Sequence, residues 1–311
     1  MSYRLQIHEG LEAGVRRIAA EQLERALGEL DSRDLESDEI VHQVRKRCKK
    51  IRGLLRLVRV AMGEQYRVEN TAFRDEARKL SPIRDAQALT STYDTLMERF
   101  DEQVDRSTFG PFRAAMTRRQ KELSDRLADP AILLKEFREA MVCAKERVGS
   151  WRVAEGGFDV VGDGLERTYS RGRQAMKKAR DSRVDEDWHE WRKRVKYHWY
   201  HTRVLEGVWP RVLDRWSSEI KRLSDLLGDD HDLAVLENEL VDGCLSEVGT
   251  PRDRQVFAAL GANRRADLQS EAVSLGAILY AESPGALRKR WKRWWKAAHR
   301  PPETGAGARP S

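Results

Sequence analysis

From residue 9 to residue 299 apolar positions recur three and four residues apart, without sustained strand-like alternation. Breaker residues between these runs divide the chain into helices. The pattern predicts helices over 9–30, 38–62, 66–80, 84–105, 109–128 and 131–148 in a first half. A second half follows with helices over 163–180, 185–206, 210–227, 231–247, 251–280 and 285–299. Between them, residues 152–164 carry Gly156, Gly157, Gly162 and Gly164 and read as a junction. The expected fold class is all-α, with one helical half over 5–150, a second over 151–299, and a Pro/Gly-rich disordered tail over 300–311.

The polar positions are as patterned as the apolar ones. In the helix over 38–62, His42 is followed within ten residues by six lysines and arginines. At about 100° per residue, Arg45, Lys46, Lys49, Arg52 and Arg56 fall on the same side as His42. Val44, Cys48, Ile51, Leu54, Leu55 and Val58 take the opposite side, with Arg47 at the edge, placed to pair with a buried carboxylate. The cationic side holds no acid. Solvated faces usually mix signs, because like charges one turn apart cost roughly 0.2–0.5 kcal/mol per pair. A stripe of one sign becomes favourable when an anion lies along it.

The stripe occurs twice. His189, Arg192, Lys193, Lys196 and Arg203 stand 147 residues (189 − 42) beyond His42, Arg45, Lys46, Lys49 and Arg56. Trp191, Val195, Thr202 and Leu205 form the second apolar side, and Arg194 sits at its edge as Arg47 does. The same offset superimposes Leu80, Asp85 and Leu89 on Leu227, Asp232 and Leu236. A register kept this long reads as internal duplication, with a period too long for a solenoid. All nine tryptophans lie at or beyond Trp151, so the halves differ in packing residues while sharing cationic ones.

Composition narrows the partners. The chain is 35% charged with a mean hydropathy of −0.71, and its net charge is +7, which favours an anionic partner. Cys48, Cys143 and Cys244 fit neither a disulfide framework nor a zinc spacing. The N-terminus MSYRLQIHEG has no apolar signal-like region and no run is long enough for a membrane span, so a cytoplasmic location is expected. Walker A, GxSxG and HExxH motifs are absent.

The paired HxxRKRxK helices, the helix starts IRDAQAL and DDHDLAVL, and GLERTYSRGRQAMKKA at 164–179 resemble the CHAD (conserved histidine α-helical domain) family, over about residues 5–297. That resemblance implies two helical bundles related by a pseudo-twofold axis around a basic central cavity that binds inorganic polyphosphate. It implies a ligand-facing set of His42, Arg45, Lys46, Lys49 and Arg56 with His189, Arg192, Lys193, Lys196 and Arg203. Arg17 and Arg167, on the helix opening each half, join it as matching residues, with Arg171, Arg173 and the less symmetric Arg52. An ExExK strand of the companion CYTH domain is not found, so the chain resembles a stand-alone member.

Polyphosphate has no base edges to read, so a binder needs a lattice of donors: guanidinium forks, mobile ammonium groups and one cation per helical turn. Asp85 and Asp232 are expected near helix starts, complementing the dipole or orienting a stripe arginine. His198, His201 and His231 read as packing histidines rather than metal ligands. The basic, tryptophan-rich segment 287–300 resembles a membrane or nucleic-acid binder, but Trp291, Trp294 and Trp295 are spaced to dock a terminal helix. The expected protein is a non-enzymatic polyphosphate binder without metal or cofactor, at polyphosphate granules with granule-associated proteins. A nucleic-acid binder using the same stripes, a metal-dependent phosphohydrolase and an ion-paired scaffold are the alternatives.

Overall fold

A computed structural model describes residues 3–126, 130–182 and 184–300, except the side chains of 82–86, 123–126 and 130. The Asp85 side chain and the expected tail beyond Arg300 lie outside what is described. The described chain is all-helical, with no strand. Its helices are α1 (Leu11–Leu30), α2 (Ser37–Leu57), α3 (Glu64–Lys79), α4 (Ser81–Arg99), α5 (Gly110–Arg126) and α6 (Pro130–Val148). They continue with α7 (Phe158–Ser182), α8 (Asp185–Val204), α9 (Pro210–Val241), α10 (Pro251–Leu279) and α11 (Pro284–Ala298).

The packing repeats in order. Helix α1 lies against α2 and α6, as α7 lies against α8 and α11; α2 packs on α3 and α4 on α5, as α8 packs on α9 and α9 on α10. Contacts of α2 with α7 and α8, and of α4 with α9 and α10, join these sets. The apolar side of α2 supplies the core: Val44, Cys48, Ile51, Leu54, Leu55 and Val58 are fully buried. Burial of each large aliphatic contributes roughly 1.5–3 kcal/mol. In α8, Trp191, Val195, Thr202 and Leu205 are likewise buried.

Several expected boundaries move, and two of the changes bear on the site. Helix α9 runs unbroken where two helices were expected, whereas α3 and α4, which cover the residues 147 positions earlier, part at Leu80. Proline occupies the first turn of α4 and cannot donate a backbone hydrogen bond to the preceding turn. The residue 147 beyond Pro82 is Asp229, so nothing interrupts α9. Asp232 therefore sits deep inside a helix, and its expected place near a helix start is corrected. Helix α7 begins at Phe158, taking in Gly162 and Gly164. Gly164 is needed there, because a Cβ would overlap the Leu57 carbonyl of α2.

Before α1, the segment around Tyr3–Glu9 is tied to the helices it precedes. Leu5 donates its amide to Val204 O (2.8 Å), and Tyr3 donates its hydroxyl to Lys50 O (2.6 Å). Helix α10 is opened by a capping box between Thr250 and Asp253, with Pro251 in the first turn.

Candidate functional site

Helices α2 and α8 cross antiparallel at Gly53 and Tyr200. A Cβ on Gly53 would stand 2.8 Å from Tyr200 Cβ, so only glycine permits this approach. One ring nitrogen of His201, Nε2, lies 3.1 Å from Gly53 O. Further along, the Arg56 guanidinium lies over the Tyr197 ring, 4.3 Å from its centroid. The crossing brings charges of one sign together from both helices.

Lys196 shows this most directly. Burial, then the charges of Arg192, Lys221 and, from the other helix, Lys46 push its ammonium down to about 8, against the favourable pull of Asp225. Its Nζ lies 4.7 Å from the Trp199 ring centroid. Lys50 is also pushed down to about 8, by burial and then by Arg47, Lys46, Arg203 and Arg25. Sequence reasoning left Lys50 out of the site. Its position at about 80° from His42 was the available signal, at the flank of the stripe.

The same crowding extends to α7. Burial lowers the Arg171 guanidinium, helped by Arg194, Arg167, Arg59 and Arg56. Arg52 is lowered chiefly by burial, and its Nε donates to Asn70 Oδ1 at 3.3 Å. Lys46 and Arg192 have no hydrogen bond or ion pair among the described residues. His42 and Lys49 are exposed on α2, and Arg167, Arg171 and Arg173 are exposed on α7.

Other members of the expected set are already engaged. Arg45 donates to Ala77 O (2.7 Å) and Ser81 Oγ (2.5 Å), holding the α3–α4 junction. Lys193 pairs with Glu190 (2.7 Å) and reaches Glu186 (3.8 Å), and Arg203 pairs with Glu206 (3.0 Å). Arg47 pairs with Glu29 of α1 and Arg194 with Glu190, the edge-of-stripe pairing expected for both.

Arg17 is not the match of Arg167. Counted from the helix starts at Leu11 and Phe158, Arg17 corresponds to Gly164, and Arg167 to Ala20. Arg17 donates to Glu9 (2.9 and 2.5 Å), Glu21 (2.9 Å) and Arg4 O (3.0 Å), and its hydrogen bonds to Glu9 raise its pKa. It clamps the N-terminal segment onto α1, while Arg167 stands in the cationic cluster.

The histidines divide by depth. His189 Nδ1 lies 3.2 Å from His231 Nδ1 of α9. Burial, followed by nearby cations for His189 and by His189 itself for His231, lowers both, His231 to about 4. Sequence reasoning assigned His231 a packing role and no neighbour; its partnership with His189 is tertiary. His198 and His201 are fully buried, and burial pushes both down to about 3.

Asp232 lines a cavity of about 240 Å³ between α4, α9 and α10, with Asp229, Arg99 and Arg264. Burial, then Asp232, raises the Asp229 carboxyl. No three His, Cys, Asp or Glu side chains among the described residues are grouped to hold a metal ion. No described helix is long and apolar enough to cross a membrane.

Comparison with known proteins adds one finding: the family model of the CHAD domain matches residues 17–241. No curated protein matches the chain. The matched span holds α2, α8 and their crossing, while α10, α11 and the segment before Arg17 fall outside it.

Proposed function

The chain belongs to the CHAD domain family, a family associated with polyphosphate binding, and from that premise we propose that it binds inorganic polyphosphate along the joined cationic faces of α2 and α8. One observation carries this reading. Lys50 and Lys196 are half-buried among cations, and each is driven down to about 8. Such crowding opposes the folded state unless an anion lies over it. A polyphosphate chain supplies about one charge per phosphate and answers several cations at once.

The proposed architecture is an internal duplication with a basic cavity about its pseudo-twofold axis, 5–150 forming one half and 151–299 the other. The crossing supports it, because Tyr200 stands 147 residues beyond Gly53, so the two helices meet at equivalent positions. Arg45 and Arg192 support it too. Arg45 bonds Ser81, and Arg192 Nε would lie 3.6 Å from a Cβ on Gly228, the residue 147 beyond Ser81. The ligand set is centred on Lys46, Lys50, Arg56, Arg171, Arg192 and Lys196, with His42, Lys49, Arg52, Arg167, Arg173 and His189 around it. Arg45, Lys193 and Arg203 contribute through their engaged side chains. The protein holds the polymer rather than cleaving it, at polyphosphate granules in the cytoplasm.

The test is a titration with long-chain polyphosphate at about 150 mM salt, with double-stranded DNA and EDTA in parallel. Tight binding that survives EDTA and is not displaced by DNA is expected. Affinity should also fall as pH rises through 8, where Lys50 and Lys196 lose their protons. Equal displacement by DNA at equal phosphate, or release of orthophosphate with added Mg²⁺ or Mn²⁺, would overturn the reading.

A further inference from the structure

Helix α11 lies beyond the family match and carries cations on two sides with opposite fates. On the inner side Arg288 pairs with Asp159, Asp163 and Glu166, Lys292 with Asp159, and Arg290 with Glu282. The pairs of Arg288 and Lys292, with buried Leu287 and Trp291, dock the helix onto α7, while Arg290 ties it to the turn before it. On the outer side Lys289, Arg293, Lys296 and Arg300 are exposed and have no ion pair or side-chain hydrogen bond among the described residues. The spacing of four and three residues puts Lys289, Arg293 and Lys296 on one line roughly 10 Å long, with Arg300 just past the helix end.

An aromatic cluster occupies one flank of the same helix, with Trp294 about 100° round from Arg293. Trp294 on α11 meets Trp209 edge to face, with ring centroids 5.3 Å apart. Trp209 remains 45% exposed. Unanswered cations along one side of a helix and an available indole at its flank together suit a strand of phosphates carrying flat bases. We propose that the outer face of α11, with Trp209 at its edge, docks single-stranded nucleic acid, separately from the polyphosphate face.

Each feature selects against another partner. A bilayer takes up an amphipathic helix through its apolar side, and here that side is already buried against the body of the protein. Polyphosphate would answer the cations and leave Trp209 without a role. Duplex DNA keeps its bases stacked and gives the indole nothing to pair with.

The experiment uses fluorescence anisotropy of labelled oligo(dT) and oligo(U), roughly 12 nucleotides long, with the full chain at about 150 mM salt. Arg293→Glu with Lys296→Glu should weaken binding more than tenfold and flatten its salt dependence. Trp209→Ala should weaken it several-fold at an unchanged salt slope, because stacking releases no counterions. Both variants should keep wild-type circular dichroism and polyphosphate affinity, and Lys46→Glu with Lys196→Glu should leave oligonucleotide binding intact. No oligonucleotide binding in the wild type, or binding indifferent to the α11 variants, would overturn the proposal. So would wild-type sedimentation with phosphatidylserine-containing vesicles that the α11 variants lose, which would assign the surface to membranes.

Discussion

Helices α2 and α8 carry cationic stripes in one register, 147 residues apart, yet they manage those charges differently. Beyond the acids of its first turn, Asp38 and Glu39, α2 has no carboxylate of its own, and Arg47 finds its partner on α1. Helix α8 carries Glu190 inside the stripe, and that one carboxylate engages both Lys193 and Arg194. Where α2 has Lys50, Ile51 and Leu54, α8 has Tyr197, His198 and His201. Thus Lys46 and Lys50 of α2 and Arg192 and Lys196 of α8 carry the charge that no described carboxylate pairs, and α8 adds aromatic support and buried neutral rings. Equivalence in register does not make two stripes electrostatically equal.

The largest expected consequence of this difference is in stability. His198 and His201 stay neutral in the fold, at about 3, while an exposed histidine takes a proton near 6.5. The unfolded chain therefore binds more protons below 6.5, so stability is lost as pH falls from 6.5 towards 3. By pH 5 the loss is roughly 2 kcal/mol per ring. His198→Ile, which installs the residue α2 carries at Ile51, should remove about half of that loss, read by urea unfolding at pH 7 and pH 5. An unchanged pH dependence would mean that His198 titrates normally in the fold.

Next in size is the inequality of the stripes towards polyphosphate. Lys46→Glu should weaken binding about tenfold, or about 1.4 kcal/mol, because it reverses a charge that no described carboxylate offsets. Lys193→Glu should cost only about two- to threefold, since Glu190 already offsets that lysine. Combining Lys46→Glu with Lys196→Glu should exceed a hundredfold, about 2.7 kcal/mol. Isothermal titration of the set reads these differences directly. Equal losses from Lys46→Glu and Lys193→Glu would break the asymmetry argued above.

Local pattern carried much of the fold. The apolar side of α2 was legible to the residue, because helical periodicity and burial are the same fact seen twice. The continuity of α9 was legible in principle, through the Pro82 to Asp229 exchange, but Gly228 and two aspartates resemble a break when read alone. Gly162 and Gly164 misled for a similar reason: a glycine that makes room for a neighbour, the Phe158 ring at Gly162 and α2 at Gly164, looks like one that ends a helix. The cationic stripes were visible, whereas which of their members are engaged was not. The clamp of Glu9 on Arg17, the meeting of His189 with His231 and the crowding of Lys50 all depend on distant segments brought together.

The finest test converts α8 towards α2. Glu190→Gln keeps the side chain's size and removes the charge that engages Lys193 and Arg194. Both cations then become available to phosphate, so polyphosphate affinity should rise about two- to threefold. The salt dependence should steepen by about one charge, as one more counterion is released on binding. The cost in stability should stay within about 1 kcal/mol, as for other partly exposed ion pairs. Affinity that falls instead would mean that Glu190 holds the two cations in their binding geometry, and its carboxylate would then belong to the site rather than compete with it.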